Sequence, residues 1–319
     1  MTQSLLSIFT TAILPIVAIA AAGGVLGWTT DVDPGPLNTV TVYVLAPALV
    51  FHSLATTSLG GGTLLRVTGV MFGYTAAMLV VSELVGRLLG NEEPLLSAVV
   101  LVSTFSNSGN YGIPLSEFAF GATGRSTAVL YLAGQAVLMY TVGVYVASRS
   151  SGTRGLAGVR RVLTLPLLYA VVAAIVVRWL GVLPPAESNL LETVRLVGDA
   201  AIPVMLIILG IQLARTDYGA ALSQVGLPTV LKMGLAPVVA TAIVLVVGIE
   251  NETVARTVVL ESSMPSAITP LILLMEFADV EIGDVSVPEY VSTVVLVTTL
   301  ASIPVLTVLI ALLKSGTVI

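Results

Sequence analysis

Two short polar stretches interrupt a chain that is otherwise apolar, and their side chains could hold a ligand. Residues 106–115 read SNSGNYGIPL and residues 261–270 read ESSMPSAITP. The two asparagines of the first stretch and the three serines of the second supply neutral hydrogen-bond donors and acceptors. The chemistry that these groups favour is non-covalent binding of a small polar molecule.

Composition excludes several kinds of catalytic and metal sites. The 319-residue chain has no cysteine and a single histidine, His52. Thiol chemistry and zinc sites built from several His or Cys ligands are therefore excluded, and we expect no metal site and no cofactor. No basic run indicates nucleic acid as a partner. An intramembrane enzyme is not expected, because neither a GxSG nor a GxGD motif occurs.

The elements that carry the polar stretches are membrane-spanning helices. Hydrophobic residues make up 56% of the chain and charged residues 10%, whereas a soluble domain has roughly 25% charged residues. The mean hydropathy is +1.04. Apolar runs of about 20 residues predict an all-α polytopic membrane protein in a lipid bilayer, with ten transmembrane helices. The predicted spans cover residues 5–28, 37–58, 65–90, 94–120, 126–148, 162–183, 191–214, 222–248, 253–278 and 287–313.

Both polar stretches fall inside predicted spans, the fourth and the ninth. A helix break cannot face lipid, because each unpaired backbone group there costs several kcal/mol. Such a break is tolerated only where it lines a cavity or is buried in protein. If the two breaks cross near the middle of the membrane, two half-helix N-termini face each other. Their free N–H groups and dipoles favour an anion, typically a carboxylate.

The two halves of the chain look related. Pro47 and Pro203, in spans two and seven, are 156 residues apart, and so are Pro114 and Pro270 in the two breaks. Five spans per half force the second copy to run upside down. The pattern predicts a five-plus-five inverted repeat with two broken crossover helices, made of residues 1–150 and 151–319.

The Arg-rich connection at residues 147–161 sets the predicted orientation. It carries four arginines, and no other predicted loop has such a cluster. The positive-inside rule places this loop in the cytoplasm, and both termini then face the outside.

Ionisable residues within the spans are candidate functional groups. Glu261 could bind a cation or a proton beside Ser262, and Glu117 follows the first break. Lys232 could pair with one of the acids, Asp199 included, or could serve the substrate; these alternatives are open at this stage. His52, near the end of span two, is either a packing residue or a switch.

At nearly every span the chain resembles the auxin efflux carrier family, which includes the PIN-type auxin carriers of plants and prokaryotic relatives. NSGNYGIPL resembles the first crossover of that family and MPSAITP the second. PALVFHSLA (47–55) resembles its second span, GQAVLMYT (134–141) its fifth and STVVLVTTLASIPVLTVL (292–309) its last. The long cytoplasmic loop of the plant carriers is absent, and the Arg-rich connection takes its place.

The resemblance implies a transporter of the cell membrane, with the crossover architecture of sodium–proton antiporters and bile-acid symporters. A transport subdomain would hold the crossover and move against a scaffold in an elevator-like cycle. Export of a small organic anion, such as an auxin-like acid or a dicarboxylate, and a homodimer are also implied. The expected substrate site comprises Asn107, Asn110, Tyr111, Gly112, Ile113, Pro114, Gln135, Ser263, Pro265, Ser266, Ala267 and Pro270.

Two transport hypotheses remain open from the sequence. The first is a carrier for a small organic anion, working as a uniporter or driven by an ion. The second is a sodium-coupled symporter of the bile-acid type, with Glu261 and its neighbouring serines in a Na⁺ site. Proton coupling is a further form of the first.

Overall fold

The structure is a computed structural model that describes residues 5–57, 59–149, 163–185, 187–215, 222, 224–277, 281–282 and 285–319. The described chain is almost entirely helical, with two two-residue strands that pair antiparallel, Glu281–Ile282 and Val285–Ser286. Seven of the described helices are long and apolar enough to cross a membrane. The predicted all-helical, polytopic membrane class is therefore confirmed.

The helices are numbered here in chain order. The first half contains α1 (Leu5–Thr29), α2 (Pro34–Ala55), α3 (Gly61–Leu88), α4 (Leu95–Thr104), α5 (108–120) and α6 (122–147). The second half contains α7 (Pro166–Leu180), α8 (Asn189–Ala214), α9 (Gly226–Val247), α10 (Glu252–Ser262), α11 (Thr269–Phe277) and α12 (Val287–Lys314). Most of the Arg-rich connection, on which the predicted orientation rests, lies outside the described residues.

Gly121 separates α5 from α6. Its backbone has φ 67° and ψ −153°, a conformation that residues with a Cβ rarely adopt. The chain folds back at this point, because Gly124 packs directly against the carbonyl oxygen of Ser116. The two arms therefore lie side by side.

Proline explains four wide turns in the helices. Five-residue π-helical segments end two residues before Pro15, Pro47, Pro114 and Pro237. Proline has no N–H to donate, and its ring clashes with the carbonyl of the preceding turn. The helix widens locally, as π-bulges do, and carbonyl groups near each proline lose their usual donor.

Packing divides the helices into two groups. In the first group, α1 packs on α8, and α2 packs on both α7 and α8. In the second group, α3 packs on α4 and α9, while α10 contacts α9 and the α5–α6 pair. Helix α12 packs on α4 and α11. The two broken helices thus belong to one group, which meets the other where α1 contacts α12 and the α5–α6 pair, where α2 contacts the α5–α6 pair and where α8 contacts the first turn of α5.

Helices α1 and α8 approach very closely through small residues. A Cβ added to Gly210 would collide with the carbonyl oxygen of Ala20, and one added to Gly23 would collide with that of Ile207. Small residues allow such close backbone packing between membrane helices, where van der Waals contact drives association.

We predict that Gly210→Ala lowers the stability of the protein. The added methyl must push α1 and α8 apart, and overpacking of this kind costs about 1–3 kcal/mol. The thermal unfolding of purified protein in detergent measures the loss as a lower melting temperature. The control is Gly69→Ala in α3, where an added Cβ meets nothing within 4 Å. An unchanged melting temperature in Gly210→Ala would contradict the close packing of α1 and α8.

Candidate substrate and ion site

The two helix breaks lie side by side and supply each other's backbone partners. The Asn107 N–H donates to Pro265 O over 2.8 Å, and the Ala267 N–H donates to Phe105 O over 3.0 Å. Ser106 and Ser266 form an antiparallel bridge between these two bonds. The arrangement is symmetric, since each break gives one N–H and one C=O. It satisfies backbone groups that interrupted helices would otherwise leave unpaired.

A cavity of about 290 Å³ lies beside this crossing. Its wall on the crossover side includes Asn107, Asn110 and Gln135, and its opposite wall is formed by parts of α2, α7 and α8. No charged side chain of the described residues lines it. The lining residues are Asn38, Thr41, Val42, Ala46, Ser106, Asn107, Ser108, Gly109, Asn110, Leu132, Gln135, Ala136, Met139, Tyr140, Leu165, Pro166, Leu167, Met205, Gln212, Ala267, Ile268, Thr269 and Ile272.

Both half-helix N-termini border this cavity. Gly109 and Asn110 are in the first turn of α5, and Ile268 and Thr269 are at the start of α11. The first-turn N–H groups of a helix have no acceptor within that helix. The side-chain amides of Asn107 and Asn110 also form no hydrogen bond with a described residue. The cavity is thus lined by neutral hydrogen-bond donors and by the positive ends of two helix dipoles. No cationic side chain of the described residues is part of this lining.

Gln135 fastens the first break to α6. Its side-chain oxygen accepts from the Ser106 N–H over 3.3 Å, and its side-chain nitrogen donates to Ser106 O over 2.8 Å. The buried amide therefore has the partners that its burial demands. It holds the backbone at the crossing while lining the cavity.

Lys232 is fully buried beside the C-termini of the two half-helices that precede the breaks. Its ammonium lies 3.4 Å from Thr104 O and 3.1 Å from Ser262 O, which are carbonyls at the C-termini of α4 and α10. It also donates to Tyr74 Oη over 2.9 Å and to Ser106 Oγ over 2.7 Å. A cation is favourable at helix C-termini, where the dipoles place partial negative charge.

Glu261 is also fully buried, but it approaches the N-terminal part of α5. Its Oε1 accepts from Ser116 Oγ over 2.6 Å, and its carboxylate lies beside Ser108 and against Gly112. Among the described residues, neither Glu261 Oε2 nor Ser108 Oγ has a partner with good hydrogen-bond geometry, although the two side chains are neighbours. The carboxylate thus faces the positive end of a half-helix and keeps one oxygen available.

The acids considered as partners of Lys232 do not pair with it in the described chain. Asp199 and Glu117 instead accept from Arg125 Nη1, at 2.8 Å and 3.3 Å. Asp199 also contacts Arg195 at 2.7 Å. The fold-back at Gly121 explains this cluster, because it brings Arg125 beside Glu117. His52 is half-buried and close to the charges of Arg125 and Asp199.

The other candidate residues have structural contacts around the crossing. The Ser262 hydroxyl donates to Tyr131 Oη over 3.1 Å, and the Ser263 hydroxyl donates to Val259 O in its own helix. The Ser266 hydroxyl donates to Val102 O over 2.7 Å. Tyr111 Oη accepts from Ser302. Ile113, Pro114 and Pro270 are buried outside the cavity lining, as are Pro265 and Gly112.

Sequence reasoning missed several residues of the site. Tyr74 and Ser106 bind Lys232, and Arg125 joins two acids that were singled out. Ser106 and Ser108 lie inside the first break, so their position alone could have predicted them as site residues. Tyr74 lies in an uninterrupted apolar span and gives no sequence signal. Arg125 stands just before the predicted span five and reads as an ordinary loop charge.

Comparison with known proteins identifies the family. A model of the membrane transport protein family, to which auxin efflux carrier-like proteins belong, matches residues 8–158 and 156–310. The chain belongs to this family. Membrane transport family proteins of the auxin efflux carrier type are transporters, so the expected membrane transport role is confirmed and catalysis is not indicated.

Relatives of the chain include transporters of archaea and bacteria. It is 26% identical over 293 residues to an uncharacterized transporter of Methanothermobacter thermautotrophicus, covering 92% of this chain and 94% of that protein. An uncharacterized transporter of Methanocaldococcus jannaschii is 24% identical over 242 residues, covering 74% of this chain and 78% of the relative. A Rhizobium meliloti protein named "Putative malonate transporter" is 23% identical over 301 residues, covering 92% of this chain and 89% of that protein.

We predict that Gly112→Ala displaces the Glu261 carboxylate, because a Cβ at this position would collide with Oε2. The melting temperature should fall, and adding Glu261→Ala should recover part of the loss, since neighbouring substitutions are not additive. Gly109→Ala in the same turn is the control, because its Cβ would meet only Leu132 at 3.7 Å. Strict additivity of Gly112→Ala and Glu261→Ala would contradict the contact.

Proposed function

We propose that the protein is a secondary transporter that moves a small organic anion across the membrane. The observation that carries the proposal is the uncharged cavity at the crossing, which two half-helix N-termini and the free amides of Asn107 and Asn110 border. N–H groups and helix dipoles bind a carboxylate without an obligatory ion pair. A substrate held in this way can also leave again, which transport requires.

The size of the cavity and one relative favour a small dicarboxylate. Sites for small molecules enclose roughly 300–1,000 Å³, so a cavity of about 290 Å³ suits a compact acid. The relative from Rhizobium meliloti is named as a malonate transporter. Two helix N-termini on one cavity could each receive one carboxylate. We therefore propose malonate or a dicarboxylate of similar size as the first substrate to test.

The proposed architecture is ten spans in a five-plus-five inverted repeat, with residues 1–150 and 151–319 as its halves. The symmetric backbone pairing of the two breaks supports this relation. Helices α4 with α5, and α10 with α11, would form the fourth and ninth spans. The group of α1, α2, α7 and α8 would be the scaffold, and the remaining helices the transport subdomain.

The distribution of contacts supports an elevator-like cycle with one access side at a time. The cavity meets the beginning of α2, the end of α6, the beginning of α7 and the end of α8. These four helix ends share one membrane surface, the side of the 147–161 loop. Toward the other surface the two groups are joined, since Arg125 binds Asp199 and the Ser126 hydroxyl donates to Ser53 O over 3.2 Å. We propose that this is a state open to the cytoplasm.

We also propose that the protein lies in the cell membrane with both termini outside, and that it forms a homodimer through the scaffold. The orientation rests on the arginines of residues 147–161, and the dimer rests on the family to which the chain belongs. Coupling to a proton could use Glu261, whose Oε2 has no hydrogen-bond partner in the part of the chain that the structure describes.

The alternative is a sodium-coupled organic-anion symporter of the bile-acid type. The neighbouring unpartnered oxygens of Glu261 and Ser108 favour it, because hard cations are bound by oxygen ligands. Uptake of labelled substrate into vesicles with and without a Na⁺ gradient separates the two functions. Uptake that needs Na⁺ would establish the alternative.

We predict that Asn107→Ala weakens substrate binding and transport at least about tenfold, because the lost amide contact to an anion contributes about 1.5–3 kcal/mol. Malonate should raise the melting temperature of the wild-type protein, since a ligand that binds the folded state stabilises it. The effect should shrink in Asn107→Ala. The control is Asn189→Ala, at an exposed helix start far from the cavity. Full transport by Asn107→Ala would contradict the assigned site.

We predict that cross-linking Ser53→Cys to Ser126→Cys stops transport, because these residues join α2 to α6 across the two groups. The natural chain has no cysteine, so the introduced pair reacts on a clean background. The matched pair Gly27→Cys and Ala214→Cys lies within the scaffold, where a Cβ on Gly27 would be 3.3 Å from that of Ala214. Transport should continue in that variant. The reverse result would show that the two groups are divided wrongly.

A further inference from the structure

The surroundings of Lys232 consist of oxygen atoms that all offer lone pairs. The hydroxyls of Tyr74 and Ser106 donate their own protons to Ser262 O, over 2.7 Å and 3.1 Å. Their lone pairs therefore remain for the lysine ammonium, which contacts both oxygens. The carbonyls of Thr104 and Ser262 complete the set. No group in this set points a hydrogen toward Nζ.

This oxygen set has the composition of a site for a monovalent cation. In membrane carriers, unwound backbone carbonyls and the C-terminal ends of half-helices coordinate coupling cations. Here the C-termini of α4 and α10 converge on one point, and two hydroxyls stand beside them. Lys232, from the wide turn of α9 that precedes Pro237, places a covalently attached positive charge at that point.

The charge at this position is needed for electrostatic reasons. Two helix C-termini meet in a fully buried region, and each carries a partial negative charge. No carboxylate of the described residues pairs with Lys232, so its charge is available to both dipoles. An uncompensated ammonium in such a region would be very costly, and the four oxygens provide the compensation.

We propose that the Lys232 ammonium takes the place of a coupling metal cation, so that the carrier completes its cycle without Na⁺. This inference rests on the proposed transport function and refines it. Ser106 links the two sites, because it lines the cavity and also binds Nζ. The fixed charge therefore holds the crossing in shape whether or not an ion gradient exists.

The first test needs no substrate. Purified protein is melted in choline, sodium or methylammonium chloride at equal ionic strength. We expect the wild-type melting temperature to be the same in all three salts. Lys232→Ala empties the oxygen set, so Na⁺ or methylammonium should raise its melting temperature by about 2–4 °C relative to choline.

Two further variants make this test specific. Lys314→Ala removes the other lysine of the chain, and its melting temperature should not respond to the choice of cation. Adding Tyr74→Phe to Lys232→Ala removes one oxygen ligand, and the cation response should shrink. A folded Lys232→Ala protein that melts alike in all three salts would overturn the proposal.

The second test uses the wild-type protein, so it decides even if Lys232→Ala does not fold. Proteoliposomes are loaded with labelled malonate, and efflux is compared in choline and in sodium medium. Equal rates support the proposal, and efflux that requires Na⁺ overturns it. Absence of malonate transport in both media would contradict the proposed substrate, while the melting results with cations would still stand.

Discussion

Backbone hydrogen bonding at two interrupted helices is the constraint on which the rest of the structure depends. An apolar environment offers no water to unpaired N–H and C=O groups, so each break must find partners inside the protein. The chain meets this requirement by placing one break against the other, with Asn107 and Ala267 donating across the crossing. Gln135 then holds the Ser106 backbone from the side. The packing of the surrounding helices brings these few partner groups to the crossing.

The crossing also sorts charge by the polarity of helix ends. Lys232 lies where α4 and α10 end, and Glu261 lies where α5 begins, so each of these buried side chains, in its charged form, faces a dipole of opposite sign. A direct ion pair between the two residues is not needed. The first-turn residues of α5 and α11 border the cavity. Lys232 thus occupies the C-terminal side of the crossing, whereas Glu261 approaches α5, one of the two half-helices whose first turns border the cavity.

The sequence allowed the class of fold and the position of the site to be predicted, but not the contacts within the site. Prolines with Asn, Gly or Ser neighbours inside apolar runs predicted both breaks, because such residues cannot continue a helix. Burial of Lys232 and Glu261 followed from their place in spans. Their partners did not, since Tyr74 and Ser116 reach them only through tertiary packing. The cluster at Arg125 depends on the fold-back at Gly121, which a local pattern does not reveal.

The reciprocal pairing of the breaks has a consequence for biogenesis. The Asn107 N–H needs Pro265 O, and Phe105 O needs the Ala267 N–H, yet the second break leaves the ribosome long after the first. Lys232 is also synthesised after the α4 carbonyl that it contacts. During insertion, the unpaired backbone groups of the first break must therefore find hydrogen-bond partners in the translocation machinery or in water molecules at the membrane surface. The protein can supply these hydrogen-bond partners itself only when the chain beyond residue 267 has entered the bilayer.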